Sequence, residues 1–298
     1  MHICIGKVFE TMKRNVIGII NERMSEFSKG QKRIAQYVIE NYDKAAYITA
    51  AKLGVFADVS ESTVVRFANE LGYDGYPGMQ RALQEYIRTK LTAVQRVEIT
   101  NTLIGDGDVL EKVLESDIEK IKGTLENIDR NSFDKAVDAV INAKRIYIIG
   151  VRSSSSLAGF LNFNFRMIFD DVRFVQTTSG SEMFEQIMQI KPEDAMIAIS
   201  FPRYSSRIIN AVEFAQNAGA NVVAITDTKE SPIAPFADEL LLAESDMASF
   251  VDSLVAPLSI INAMIVAVAK KKQKELTERL NVLENIWDEY DVYDKNRG

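Results

Sequence analysis

The chain has 298 residues, 47% of them hydrophobic and 26% charged, with 35 Lys/Arg against 42 Asp/Glu. That length holds two domains with sizeable cores, and the composition is that of an ordinary globular protein. The single cysteine and single histidine, Cys4 and His2, stand together at the N-terminus, which excludes a disulfide framework, argues against a Cys/His metal site and leaves no internal histidine as a general base; no metal, no cofactor and no catalytic residue is expected.

The charge is unevenly divided. Residues 1–96 carry a net +4 and the remainder −11, an asymmetry that points to nucleic acid for the basic part, although +4 on about a hundred residues is a weak patch. Met1–Met12 lacks the long apolar core of a secretory signal, and Met12 is an alternative start. The run LVAPLSIINAMIVAVA, Leu254–Ala269, is shorter than the roughly 20 residues that span a bilayer and carries Ser259 and Asn262. A helix apolar nearly all round is expected in a core or a subunit interface instead. No membrane contact is expected, and a cytoplasmic location follows.

In chain order, Val16, Ile17, Ile19 and Ile20 mark a first helix. Ser28 and Gln31 have capping-box spacing ahead of Ile34, Ala35, Val38 and Ile39, which recur on one face, and Asn41-Tyr42-Asp43 closes that helix. Ile48–Gly72 then reads as two short helices about a tight turn. Thr49 caps the first, Ala57-Asp58-Val59 forms the turn, and Ser60 caps the second, which bears Val64, Val65, Phe67, Ala68 and Leu71 before Gly72 ends it. This is a helix-turn-helix pattern: Gly54 is the small residue needed where two helices cross steeply, and Asp58 takes the turn position that tolerates positive φ. Ser60, Glu61, Ser62, Thr63 and Arg66 on the second helix suit a helix end in the major groove, as hydroxyls and a guanidinium for phosphates or base edges and a carboxylate for cytosine. A plain helical hairpin would carry the same apolar pattern.

Tyr73–Gly78 is expected as a turn-rich corner before a helix over Met79–Leu91 that carries Arg81, Arg88 and Lys90. Residues 92–107 read as a linker broken at Gly105-Asp106-Gly107. Asp108 caps a long amphipathic helix (Val109, Val113, Leu114, Ile118, Ile121, Leu125), and Ser132 starts another; both are expected to turn their apolar faces onto the domain that follows.

From Arg145 the rhythm becomes strand–helix alternation. Strands are expected at Ile146–Ile149, Val172–Val175, Ala195–Ile199, Asn221–Ile225 and Leu240–Ala243. The fold class is therefore an all-α helix-turn-helix domain followed by an α/β domain with a mostly parallel five-stranded sheet flanked by helices. The stretch after the first strand, Gly150-Val151-Arg152 and four serines, gathers hydroxyls and free N–H groups at a helix start, an anion site or else a capped βα-corner. Ligands of such sheets bind outside the carboxyl ends of the strands, and three successive loops there are rich in Ser and Thr, two with an arginine, Arg152 and Arg203. A dinucleotide fingerprint fails because Arg152 stands at its second glycine, and a P-loop fails for want of Gly-Lys-Ser/Thr. A small sugar phosphate fits better.

Both halves together resemble the RpiR-type bacterial transcriptional regulators, from about Val16 to Ala269. The resemblance is carried by TVVRFANELGYDGYPGM, by the GVRSS turn Gly150–Ser154, and by ISFPRYS at Ile199–Ser205 with ITD at Ile225–Asp227. It implies a homodimer or homotetramer that binds operator DNA and senses a phosphorylated sugar in a sugar-isomerase-type (SIS) domain. The implied divisions are residues 1–91 for DNA, 92–130 as connection, 131–275 for the SIS domain and 276–298 as a helical tail. Ser154, Ser200 and Ser205 would coordinate the phosphate, with Ser179 and Ser181 meeting sugar or phosphate and Arg152, Ser153 and Arg203 alongside. Arg152 and Pro202-Arg203 depart from the family pattern, which has glycine and Ser-Gly there; they either narrow the pocket or add charged contacts. Two alternatives stand beside the regulator: an aldose–ketose isomerase using Glu182 or Glu185 to move a proton, and a pure sugar-phosphate-binding scaffold. Neither needs Ile48–Gly72.

Overall fold

The computed structural model describes residues 16–90, 92, 94–97, 108–177, 179–245 and 251–293, with 85 and 88–90 by backbone alone. His2, Cys4, Met12 and Gly105-Asp106-Gly107 lie outside the described residues, as do the side chains of Arg88 and Lys90. The chain divides into two compact units, Met1–Leu103 and Ile104–Gly298.

The described elements of the first unit are helices: α1 Val16–Glu22, α2 Lys29–Glu40, α3 Tyr42–Ala45, α4 Ala50–Phe56, α5 Glu61–Glu70 and α6 Gly75–Lys90. The capping box of α2 forms as its spacing requires, Ser28 Oγ accepting from Gln31 N and Gln31 Oε1 accepting from Ser28 N. Ile20, Ile34, Leu53, Phe67, Met79, Leu83 and Ile87 fill the core with no exposed surface. The corner expected over Tyr73–Gly78 is shorter than the sequence implied, since the helix already begins at Gly75. Gly75 takes φ 64, Asn69 Oδ1 accepts from its N–H at 2.8 Å, and Pro77 falls in the first turn, where its missing N–H is no loss. Tyr76 Oη then donates to the carbonyls of Ala45 at 3.0 Å and Ile48 at 2.9 Å, fixing the entry to α4. Burial pushes this phenol up to about 12.

The second unit opens with α7 Val109–Asn127 and α8 Arg130–Asn142 and continues as β1 Ile146–Gly150, α9 Ser153–Ile168, β2 Val172–Val175, α10 Gly180–Ile187, β3 Ala195–Ile199, α11 Ser206–Asn217, β4 Asn221–Thr226, β5 Glu239–Leu242, α12 Val255–Lys271 and α13 Gln273–Glu289. The five strands are all parallel in the order β2-β1-β3-β4-β5. Helices cover both faces, which is why the strands read as unbroken apolar runs. Ile146, Ile148, Ile197, Ile199, Val223 and Ile225 pack on one face with residues of α8, α9 and α12. Tyr147, Ile149, Met196, Ala198, Val222 and Ala224 pack on the other with α10 and α11.

Two expectations change. Helix α8 begins at Arg130 rather than Ser132, because Asp129 caps it, accepting from Asn131 N at 2.9 Å and Ser132 N at 3.2 Å; Ser132 Oγ instead donates to Glu239 Oε2 at 2.7 Å. Helix α7 does not turn its apolar face inward: Leu110 is 68% exposed, and Leu114, Ile118 and Leu125 are exposed too, while Lys120 and Thr124 are buried. Polar contacts select that other face. Thr124 Oγ1 accepts from Glu244 N at 2.9 Å, Ser253 Oγ donates to Asp117 Oδ1 at 2.6 Å, and a Cβ on Gly123 would run into the Glu244 carboxylate. Helix α12 buries Ile260, Ile261, Met264 and Val268 in the core and leaves Val266 65% exposed on its other side.

One buried ion pair closes the amino end of the sheet. Arg145 donates through Nε at 2.9 Å and Nη2 at 2.8 Å to the two oxygens of Asp194, whose side chain has no exposed surface. The hydrogen bond to Asp194 holds the guanidinium above its ordinary value. Arg145→Ala should leave that carboxylate buried without a counter-charge and cost about 3–5 kcal/mol of stability in urea unfolding.

Candidate functional site

In the first unit, α4 and α5 touch where Gly54 meets the turn. A Cβ there would lie 2.8 Å from Val59 O, so only glycine permits the crossing. Asp58 takes φ 51 in the turn, and Arg33 donates to its carboxylate at 2.9 Å and to its carbonyl. The pair is solvent-exposed and adds little by itself, but it pins a strained residue. Thr49, Ser60, Glu61, Ser62 and Arg66 are exposed and Thr63 is half-buried, so the residues singled out on α5 share one open helix start. Thr49 caps α4 as expected, accepting from Lys52 N at 3.3 Å. Ser60 holds the cap position of α5 but does not cap with its side chain, because its hydroxyl bonds those of Ser62 at 2.9 Å and Thr63 at 2.8 Å. Arg66 Nε rests on Ser62 O at 3.2 Å. Sequence reasoning missed that the start of α2 abuts this surface: a Cβ on Gly30 would sit 3.5 Å from Val59 Cγ1 and 3.9 Å from Thr63 Cγ2. A glycine one residue into a helix was the available signal. It brings the exposed Lys29 to the same place.

In the second unit the order β2-β1-β3 makes β1 and β3 the point where the chain changes direction across the sheet. Helix α9 leaves β1 to one face and α11 leaves β3 to the other, so their N-termini flank a crevice at the carboxyl edge. Gly150 pairs with Ile199, so both loops emerge at one level. Helix α9 begins at Ser153, because Arg152 takes the turn at φ 57, ψ −129, and all four serines enter the first turn. A Cβ on Gly150 would stand 2.5 Å from Ser154 O, so this approach requires glycine.

The hydroxyls divide into two groups. Ser154 is 5% exposed and Ser200 4% exposed, yet the hydroxyl of neither is hydrogen-bonded among the described residues. Ser205 stands at the cap of α11 without a side-chain bond, and Ser153 is exposed and unbonded among the same residues. Those of the β2 loop are already engaged. Ser179 Oγ caps α10 and bonds Ser181 Oγ at 2.9 Å, and Thr177 Oγ1 donates to the Glu182 carboxylate. Thr178 lies outside the described residues. Glu185 is exposed.

Arg152 and Arg203 are exposed and their guanidiniums make no ion pair or hydrogen bond among the described residues, although φ values of 57 and 55 cost a side chain roughly 1–2 kcal/mol each. The loop after β3 is tied down by Tyr204 Oη, which donates to Asp227 Oδ1 at 2.7 Å, while Thr226 Oγ1 donates to the same oxygen at 3.2 Å. That strap was missed, although both partners stand in conspicuous motifs. Chemically, two helix starts, free hydroxyls and free guanidiniums make a seat for an anion. A concavity of about 430 Å³ at the opposite edge is lined by Lys135, Asp138, Glu193, Asp194 and Glu239 among others and is too acidic for that role. Among the described residues no His/Cys/Asp/Glu group could hold a metal, and no helix is long and apolar enough to cross a membrane.

The family model for the helix-turn-helix domain of the rpiR family matches residues 14–90, and that for the SIS domain matches residues 139–267. The chain belongs to the RpiR family of helix-turn-helix transcriptional regulators. An uncharacterised HTH-type transcriptional regulator of Caldanaerobacter subterraneus is 26% identical over 273 residues, 89% of this chain and 94% of its own. The HTH-type transcriptional regulator HexR of Escherichia coli is 23% identical over 282 residues, 89% of this chain and 92% of its own. Among solved structures, the Vibrio vulnificus NanR protein complexed with ManNAc-6P superposes with a TM-score of 0.57 at 21% identity, covering 93% of this chain and 99% of that one. The sugar isomerase domain of an RpiR transcription factor from Sphaerobacter thermophilus gives 0.56 at 25% identity over 58% of this chain and 97% of its own. These likenesses agree with the two-unit RpiR fold.

Gly150→Ala should push α9 off the end of β1, cost about 1–3 kcal/mol, and remove any stabilisation of the protein by inorganic phosphate in thermal unfolding.

Proposed function

We propose that this RpiR-family protein binds operator DNA through its first unit and senses a phosphorylated sugar in its SIS domain. The observation that carries the sensing half is the pair of unbonded hydroxyls of Ser154 and Ser200, on otherwise buried residues beside two helix N-termini. Each hydroxyl is free to donate to a phosphate oxygen, and a hydrogen bond to a charged group contributes about 1.5–3 kcal/mol. Ser154, Ser200 and Ser205 take phosphate oxygens, with Ser153, Arg152 and Arg203 around them; Ser179 and Ser181 meet the sugar or the phosphate. The NanR complex with a phosphorylated amino sugar supports this class of ligand for the fold.

On the DNA side, Thr49, Ser60, Glu61, Ser62, Thr63 and Arg66 contact the operator, joined by Lys29. Residues 1–91 serve DNA, 92–130 connect, 131–275 hold the effector and 276–298 form the tail. The protein works in the cytoplasm as a homodimer or homotetramer, a reading supported by the exposed apolar faces of α7 and α12. An isomerase reading has less support: the relatives that span both domains are named regulators.

Arg66→Ala should weaken operator binding by about 1–3 kcal/mol in a gel-shift titration. Unchanged operator affinity in a folded Arg66→Ala protein removes that residue from the reading face. Ser154→Ala should lower effector affinity about 10- to 150-fold while leaving operator affinity without effector as it was, and the effect on DNA should return at saturating effector. An unshifted titration with the cognate sugar phosphate returns the serine turn to a capped βα-corner.

A further inference from the structure

We infer that the effector carries a second anionic group besides its phosphate, as in a sugar bisphosphate or a phosphorylated sugar acid, and that Arg152 and Arg203 select it. The inference rests on the sugar-phosphate reading of the site. Its starting point is where the chain places its left-handed residues. Among the described residues, positive φ occurs at Gly72, Gly75 and Gly219, at Asp58 and Asp291, and at Arg152 and Arg203. Glycine and aspartate are the residue types that tolerate this conformation. Arginine is not, and Arg152 in particular has the φ, ψ of a type II′ turn's first central position, where glycine dominates.

Both arginines lie at the carboxyl edge, in the loops that leave the paired residues Gly150 and Ile199, on strands about 4.8 Å apart. Neither guanidinium is ion-paired or hydrogen-bonded among the described residues, so no internal contact compensates the backbone strain. A third cation stands close in sequence: Arg207 is the second residue of α11, in the first helical turn, where the dipole disfavours positive charge. It too is exposed and unbonded among the described residues.

The charge balance then decides the ligand class. A phosphate monoester carries about −1.5 to −2 at neutral pH. Two helix starts contribute about +0.5 each, and the free hydroxyls of Ser154, Ser200 and Ser205 already offer three donors to it. Two further guanidiniums are then not needed to hold that phosphate. The carboxylates of Glu182 and Asp227 accept from hydroxyls, Thr177 on the one and Tyr204 and Thr226 on the other, and neither arginine is ion-paired to them, so both guanidiniums stay available to a ligand. A planar guanidinium matches a carboxylate or phosphate through paired hydrogen bonds, so a second anionic group is the complement of these two loops.

The test uses the full-length protein and two ligand pairs, each on one carbon skeleton: fructose 6-phosphate with fructose 1,6-bisphosphate, and glucose 6-phosphate with 6-phosphogluconate. Inorganic phosphate serves as the probe for the shared phosphate seat. Dissociation constants are measured by calorimetry at fixed ionic strength for the wild type, Arg152→Gly and Arg203→Gly. The expected result is at least tenfold tighter binding of the more anionic member of one pair. Each glycine variant should bring that ratio toward one without lowering the melting temperature, since glycine relieves the strained backbone. Equal affinity within both pairs, or a ratio that survives in both variants, overturns the inference and leaves the sugar-phosphate site standing. If neither inorganic phosphate nor any of the four sugars binds the wild type, the sugar-phosphate reading fails and takes the inference with it.

Discussion

The close approach of helix Ser153–Ile168 to the end of strand Ile146–Gly150 is the constraint on which the carboxyl edge of the sheet depends. One methyl group at Gly150 would overlap the Ser154 carbonyl, so the absence of a side chain there sets where the helix begins. From that follow the entry of four serines into the first turn, the burial of Ser154 and the left-handed turn at Arg152. The neighbouring strand Ala195–Ile199 repeats the arrangement toward the opposite face, with Arg203 as its strained residue and Tyr204 strapped to Asp227. A crevice between the two helix starts results from sheet order alone, since the chain goes one way from the first strand to the second and the other way to the third.

The first unit obeys a similar constraint at a different contact. Gly54 lets two short helices cross at the Val59 carbonyl, and the turn between them is left-handed at Asp58. Arg33 bonds both the side chain and the backbone of that aspartate. The open start of helix Glu61–Glu70 is therefore presented on a pinned turn, and its hydroxyls bond one another instead of capping the helix. In both units a glycine contact positions a helix start, and polar groups are left facing outward from it.

Local signals failed where a tertiary contact overrode them. The apolar stripe of helix Val109–Asn127 promised an inward face, but Gly123 against Glu244, Thr124 against the backbone there and Asp117 against Ser253 hold the opposite side to the domain. Apolar periodicity says that a face is available for burial, not which neighbour buries it. The start of helix Arg130–Asn142 moved for a related reason: Ser132, a good cap by residue type, has a stronger partner in Glu239 on the last strand.

Periodicity and breaker residues were enough to determine the two-part organisation, the five strands, and the helix-turn-helix about Asp58, because these depend on 3.6- and 2-residue patterns and on backbone geometry that only a few residue types accept. The sequence also determined which residue types gather at the carboxyl edge, since strand alternation places every second connection there. Only the tertiary structure decided which of those side chains are free. The hydroxyls of Ser179 and Ser181 are engaged with each other and with their own helix start, while those of Ser154 and Ser200, on otherwise buried residues, make no bond among the described residues. It also decided that Arg152 and Arg203 stand on left-handed backbone. Hydrogen-bond satisfaction and backbone strain depend on neighbours far apart in the chain, and no local pattern encodes them.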